Sequence, residues 1–268
     1  MAEILDGRFA AKAWSPYSDK RKTLAILSVG DDPASKIYVR NKIRACEQAN
    51  IEVALHSFGA NCTQEFLEYM IRDLNRCPDI DGILVQLPLP PQINEKRIME
   101  LIDPAKDVDG FHPYNMGRLM AGDPAIVPCT PKGIMQLLAT YDIPVEGKHV
   151  VIVGRSNIVG KPLAMLMLNA DATVTICHSH TQNLAAHTRQ ADILVSAVGK
   201  PHFITADMVN PEAVVIDVGI NRVDGRLVGD VDFEAVSQVA SYITPVPGGV
   251  GQMTVAALMD NMKGEPYE

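Results

Sequence analysis

The run Val150-Val151-Ile152-Val153 is followed at once by Gly154, and Gly160-Lys161-Pro162-Leu163 opens a helical pattern through Leu168. No other stretch constrains this chain as much. A short β-branched run suits a strand buried on both faces of a parallel sheet. Strand, glycine turn and helix in that order form the phosphate-binding unit of dinucleotide folds, where backbone approaches a pyrophosphate and the helix N-terminus offers free N–H groups. The glycines stand too far apart for the G-x-G-x-x-G fingerprint, and on this stretch alone an ordinary strand-to-helix turn explains the pattern equally well. The next strand, Ala172 to Cys177, shifts the balance. It ends in His178-Ser179-His180, with no carboxylate where an NAD-binding fold holds the ribose 2′-hydroxyl. A 2′-phosphate meets no repulsion there, and Arg155 and Ser179 can donate to it, which favours NADP over NAD. Arg155 also reads as a solvated loop arginine.

The 268 residues provide for one large or two medium domains with ample core. A net charge of −8 argues against nucleic-acid or anionic-membrane partners. No apolar run is long enough to span a bilayer, and Met1 to Asp6 does not read as a signal peptide. The five cysteines form no C-x-x-C pair and read as free thiols of a reducing cytoplasm. His178-x-His180 has metal-ligand spacing, but without a nearby carboxylate or cysteine a solvated turn is the plainer reading, and no metal is expected.

Strands are expected at Thr23 to Val29, Ile51 to Phe58 and in Asp81 to Pro91, which leaves the sheet through a proline-rich turn, with helices at Ala34 to Ala49, Thr63 to Asn75 and Asn94 to Ile102. This β-α-β-α-β order implies a parallel sheet. Lys106 to Phe111 opens a long irregular segment. Thr130 followed by Pro131 reads as a helix start, N-cap then N1, of a helix to about Tyr141 that bridges two domains. A second unit continues through strands near Val150, Val174, Ile193, Val215 and Ile243, and Val255 to Met262 forms a terminal helix.

Open α/β sheets bind ligands beyond the carboxyl ends of their strands. Tyr38 and Lys42 lie four residues apart on one helix face. Gln86, inside an apolar strand-to-turn run, requires a hydrogen-bond partner. Asp109 lies on the loop after Lys106. If Lys42 faces a cleft, desolvation suits its amine to proton transfer near neutrality. Spacing alone equally fits a surface pair for Tyr38 and Lys42, and a turn residue for Asp109.

Six segments together closely resemble the bifunctional methylenetetrahydrofolate dehydrogenase/methenyltetrahydrofolate cyclohydrolase family: Tyr38 to Lys42, Asp81 to Pro90, Lys106 to Phe111, Pro128 to Gly133, Gly154 to Gly160 and Pro245 to Gly251. The match runs in order from about Gly30 to Met262. It implies an α/β chain of two domains: a parallel-sheet catalytic domain (residues 1–118, completed by a helix in 250–268) and a Rossmann-type domain (119–249), with a folate cleft between them. It implies oxidation of 5,10-methylenetetrahydrofolate by NADP, then hydrolysis of the methenyl product to 10-formyltetrahydrofolate. By the family pattern Lys42 is the acid/base of the hydrolysis, Gln86 orients it, Tyr38 packs on the folate and Asp109 bonds the pterin. Gly154, Arg155, Ser156, Ser179 and Ile220 contact the cofactor, and Pro88, Pro247, Gly248 and Gly249 line the folate cleft. A homodimer through the second domain is expected, with Gly225 to Val231 as an added edge strand. The chain departs from the family at its ends, where the first helix, Arg8 to Trp14, is short before Ser15-Pro16 and the last stops near Met262. A dehydrogenase without cyclohydrolase activity and a non-catalytic nucleotide sensor are the other readings. Lys42 with Gln86 argues against the first, and undamaged catalytic positions argue against the second.

Overall fold

The computed structural model describes residues 1–14, 21–264 and 267. In chain order it contains β1 (Glu3–Ile4), α1 (Gly7–Trp14), β2 (Lys22–Val29), α2 (Pro33–Gln48), β3 (Ile51–Phe58), α3 (Gln64–Arg76), β4 (Gly82–Val85), α4 (Glu95–Met99) and α5 (Pro113–Met120). It continues with α6 (Cys129–Thr140), β5 (His149–Val153), α7 (Gly160–Asn169), β6 (Thr173–Cys177), α8 (Leu184–Thr188), β7 (Ile193–Ser196), β8 (Val214–Asp217), β9 (Asn221–Val223), β10 (Arg226–Val228), α9 (Phe233–Val236), β11 (Tyr242–Ile243) and α10 (Val250–Asn261). Among the described residues no helix is long and apolar enough to cross a membrane.

The chain forms two compact units, Met1–Trp14 with Thr130–Thr254 and Ser15–Cys129 with Val255–Glu268. This division departs from the expected 1–118 plus 250–268 and 119–249. The first fourteen residues belong with the dinucleotide-type unit because β1 pairs in parallel with β11, Glu3 against Tyr242 and Ile4 against Ile243. Two residues are too few for a periodic signal. They are held by tertiary contacts, including Leu5, which is fully buried.

One unit is a three-stranded parallel sheet in the order β3-β2-β4. Successive residues of β2 enter opposite cores. Ala25, Leu27 and Val29 pack with Leu67, Ile71 and Ile98, whereas Leu24 and Ile26 pack with Val39, Cys46, Leu258 and Met262. Each fully buried aliphatic side chain contributes about 1.5–3 kcal/mol, more than a ladder hydrogen bond nets, so burial sets the register. Met262 completes this core, so the terminal helix returns to the three-stranded unit as expected. It begins at Val250 rather than Val255. The segment after Lys106 is less irregular than expected, since it contains α5.

The other unit is a six-stranded parallel sheet in the order β1-β11-β8-β7-β5-β6. Val150 and Ile152 enter one core with Ile134, Leu163 and Met253. Val151 and Val153 enter the other with Leu194, Val215 and Ile243. Two covered faces explain the unbroken apolar run at 150–153. The chain winds one way from β5 to β6 and the other way from β5 to β7, so the topological switch lies beside the end of β5. The helix at 130 starts at Cys129, which puts Thr130 inside its first turn rather than at the cap. Gly225 to Val231 does not add an edge strand to this sheet. β10 pairs antiparallel with β9 in a separate hairpin, Leu227 opposite Arg222, because Asp224-Gly225 turns the chain back at once.

Candidate active site

In the three-stranded unit the site begins at the carboxyl ends of β2 and β4. The side chain of Asp32 accepts from the Ser35 N–H at 2.7 Å, which caps α2 and fixes its start just past β2. Lys42 projects from this helix, half-buried, and its Nζ donates to Gln86 Oε1 at 3.3 Å. The Gln86 N–H donates to the Leu27 carbonyl at 2.9 Å, carrying the β2–β4 ladder one residue past β4. Gln86 Nε2 donates to the Leu87 carbonyl at 2.7 Å, so the amide presents its oxygen to the lysine. The hydrogen-bond partner that the sequence required of Gln86 is therefore the lysine it was expected to orient. Pro88 follows a cis Leu87–Pro88 bond. Tyr38 lies one turn before Lys42, 38% exposed, and burial raises its hydroxyl above the ordinary tyrosine value. Cys46, one turn after Lys42, is fully buried. Burial pushes its thiol up to about 12, although the Lys42 charge pulls the other way, so it is no competing nucleophile.

Asp109 is held by its neighbours. Lys106 Nζ donates to the carbonyls of Leu74, Asn75 and Cys77 at 3.1, 2.9 and 2.8 Å, satisfying the end of α3. Asp107 is buried, and its Oδ2 accepts from His112 N and Asn115 Nδ2 at 2.8 and 2.9 Å. Burial nonetheless raises its carboxyl above the usual value. The Val108 carbonyl accepts from Asn261 Nδ2 at 2.9 Å, and the same amide reaches the Val127 carbonyl at 2.8 Å. Gly110 takes φ +75°, and a Cβ there would lie 2.6 Å from Pro128 N. Asp109 alone in this loop is half-buried without a hydrogen bond or ion pair among the described residues. A bridge between Ile83 and Asp107 lays the loop along the strand that ends at Gln86. The sequence reading missed Asn115 and Asn261 as supports for Asp109, since nothing in their local pattern shows what they reach.

In the six-stranded unit, the Gly154 N–H bonds the Cys177 carbonyl at 2.9 Å, which joins the turn after β5 to the end of β6. Gly154 takes φ +129°, and a Cβ there would strike the Ala197 carbonyl oxygen. A Cβ on Gly160 would strike the Gly154 carbonyl oxygen, so this pair of glycines does the packing that the G-x-G-x-x-G spacing provides elsewhere. Ser156 Oγ accepts from the N–H groups of Val159 and Gly160 at 3.1 and 3.4 Å. It therefore serves first as a cap for α7, leaving its hydroxyl proton for a ligand. Arg155 and Ser179 are exposed. Desolvation, then the Arg155 charge and then His180 hold His178 below the usual histidine value, which puts the guanidinium near the end of β6. His178 Nδ1 accepts from the His180 N–H at 3.2 Å, so the pair is a turn. Ile220, 46% exposed, follows β8 near the start of α10, where a Cβ on Gly251 would lie 3.9 Å from its Cδ1. The Pro247 to Gly249 turn contains a cis Val246–Pro247 bond and is buttressed by the N-terminus. Gly7 N–H donates to the Gly248 carbonyl at 2.9 Å, and a Cβ on Gly7 would strike the Gly249 carbonyl oxygen.

A tight glycine turn at the switch point, the positive end of the α7 dipole, an arginine and no carboxylate after β6 together fit an NADP pyrophosphate and 2′-phosphate. Bound there, NADP supplies a hydride acceptor.

Comparison with known proteins finds matches across both parts of the chain. Residues 128–265 match the family model of the tetrahydrofolate dehydrogenase/cyclohydrolase NAD(P)-binding domain, and residues 2–109 match that of the catalytic domain. The bifunctional protein FolD of a Nitratiruptor species is 58% identical over 238 residues, 89% of this chain and 84% of that protein. The crystal structure of the bifunctional FolD dehydrogenase/cyclohydrolase from Campylobacter jejuni superimposes with a TM-score of 0.92 at 46% identity, covering 98% of each chain. The Trypanosoma brucei enzyme, complexed with NADP cofactor and inhibitor, gives a TM-score of 0.92 at 40% identity over 98% of this chain and 96% of that one. The chain belongs to the tetrahydrofolate dehydrogenase/cyclohydrolase family.

Proposed function

We infer that the chain performs both reactions of its family. It oxidises 5,10-methylenetetrahydrofolate to the methenyl cation with NADP and hydrolyses that cation to 10-formyltetrahydrofolate. The observation that carries the second activity is the Lys42–Gln86 hydrogen bond at 3.3 Å. Hydride transfer calls for no protein acid, only two rings held in contact. Hydration calls for a proton to leave water as it adds to the amidinium carbon, and for one to reach the ring nitrogen as the C–N bond opens. In our assignment the Lys42 amine takes the first proton and returns the second, and Gln86 Oε1 holds that amine in place. Asp109 accepts from the pterin, and Tyr38, Pro88, Pro247, Gly248 and Gly249 contact the folate. Gly154, Arg155, Ser156, Ser179 and Ile220 hold NADP.

The test is incubation with methylenetetrahydrofolate and either NADP or NAD, following methenyl absorbance and formyl product. Formyl product, faster with NADP, is expected. Methenyl product alone would leave a dehydrogenase without cyclohydrolase activity. Among the described residues none of the five cysteines forms a disulfide, which supports a reducing cytoplasm as its place.

We also propose a homodimer formed through the six-stranded unit. Val223 and Leu227 of the β9–β10 hairpin are 36% and 40% exposed, and β6 is an edge strand with Ile176 turned outward. Apolar edges of this kind are usually covered. Sedimentation at micromolar concentration should give the dimer mass; a monomer would contradict the proposal.

A further inference from the structure

Two buried carboxylates lie behind the Ile220 segment, and neither has a part in the mechanism above. Asp217, at the end of β8, is 3% exposed, and Asp230 is fully buried. Asp217 Oδ1 accepts from the N–H groups of Gly219 and Asp230, each at 2.9 Å, and Oδ2 accepts from that of Val231 at 2.9 Å. Asp230, fixed in this way, reaches two loops at once. Its Oδ2 accepts from Val198 N and Gly199 N at 2.7 and 3.1 Å and from Ser196 Oγ at 3.4 Å. Its Oδ1 accepts from Lys200 N at 2.9 Å and Asn221 Nδ2 at 3.0 Å. All five partners donate, so the group serves purely as an acceptor.

The backbone is cleared to admit both groups. A Cβ on Gly219 would strike Asp230 Oδ1, and one on Gly229 would strike Asp217 Oδ2. Burying carboxylates is costly unless every lone pair is engaged. Burial, with Asp230 adding like-charge repulsion, pushes the Asp217 carboxyl up to about 6 despite its three N–H partners. An apolar core would hold the strands without that cost. The two loops leave β7 and β8 at their carboxyl ends, on the opposite side of the switch point from β6, where the cofactor's 2′-phosphate is assigned. The nicotinamide half therefore falls to the loops that Asp230 ties together.

We propose that Asp230 is a positioning residue for NADP: it locks the 198–200 loop to the 219–221 loop and so sets Ile220 against the nicotinamide half of the cofactor. The proposal rests on the functional reading above and adds to it a residue that does not itself touch the cofactor. Asp230→Asn replaces an all-acceptor group with one bearing an amide donor, so at least one N–H at the junction is left facing another donor. Loss of one or two hydrogen bonds to a charged group corresponds to roughly a 10- to 100-fold rise in the KM for NADP. Hydrolysis of added methenyltetrahydrofolate uses no NADP and should stay near the parent rate. A merely structural role would lower both activities together with the melting temperature and leave the KM for NADP of the folded enzyme unchanged, and that result would overturn the proposal. If Asp230→Asn does not fold, Asn221→Ala decides. It removes one donor at a half-buried position and should raise the KM in the same direction by a smaller factor; no change would overturn the proposal. NADPH fluorescence on binding gives the same comparison without turnover. A parent enzyme that lacked hydrolysis would therefore refute the bifunctional reading while still leaving Asp230 tested.

Discussion

Lys42→Met abolishes hydrolysis of the methenyl cation while measurable hydride transfer remains, and methenyltetrahydrofolate accumulates: this is the expected result of the most informative single substitution. Methionine keeps the apolar stem and removes only the amine that bonds Gln86 Oε1. The supports of Asp109 lie elsewhere, on Asp107, Asn115 and Asn261, so that carboxylate stays in place. General acid–base assistance is typically worth about 10²–10⁴-fold, and hydrolysis should fall by that order. Lys42→Arg should not rescue it, because a guanidinium stays protonated and cannot accept the proton. Parent-rate hydrolysis by Lys42→Met would remove Lys42 from the mechanism, and a water held by Gln86 would be the next candidate.

The parts of the fold legible in the sequence are those whose burial is two-sided and local. Val150 to Val153 and Leu24 to Leu27 read as strands because alternate residues enter two cores. β1 was illegible, since two residues carry no period and their pairing partner stands more than two hundred positions away. α5 was hidden for another reason. His112 Nδ1, accepting from the Tyr114 N–H at 3.0 Å, caps it in place of the usual serine or aspartate, and Gly117 interrupts its interior. The hairpin at Asn221–Val228 shows the reverse error. Its alternation was real, but the tight turn at Asp224-Gly225 commits it to local pairing rather than to the main sheet.

The site was legible as chemistry but not as geometry. A glutamine in an apolar strand announces a partner, yet only the fold brings Lys42 to it. In the sequence, Lys106 to Phe111 reads only as the opening of an irregular segment. In the structure its members divide the work, with Lys106, Asp107 and Val108 anchored inward and Asp109 half-buried without such an anchor among the described residues. Asp230 does not stand out in the sequence, where it falls inside the alternating segment Gly225 to Val231. Only the convergence of five donors on it reveals a buried junction.

Arg155→Ala should weaken NADP much more than NAD. The turn after β5 and the end of β6 are joined by the Gly154 N–H bond to the Cys177 carbonyl at 2.9 Å, so Arg155 and Ser179 stand on adjoining segments. The Arg155 charge is felt at His178, which places the guanidinium at the end of β6, where dinucleotide folds hold the adenosine ribose. No carboxylate stands there to bond a 2′-hydroxyl, and nothing repels a 2′-phosphate. An arginine–phosphate pair makes charge-assisted hydrogen bonds, each worth about 1.5–3 kcal/mol, so removing the arginine should cost roughly 10- to 100-fold in NADP affinity. NAD has no 2′-phosphate to lose, and the other groups we assign to the cofactor, Gly154 and the loops beyond β7 and β8, are left in place by the substitution. Dissociation constants for the two reduced cofactors, measured by fluorescence on parent and variant, give the ratio directly. An equal loss for both would mean that Arg155 supports the turn rather than reading the phosphate, and cofactor choice would then fall to Ser179 and the exposed backbone of the 178–181 turn.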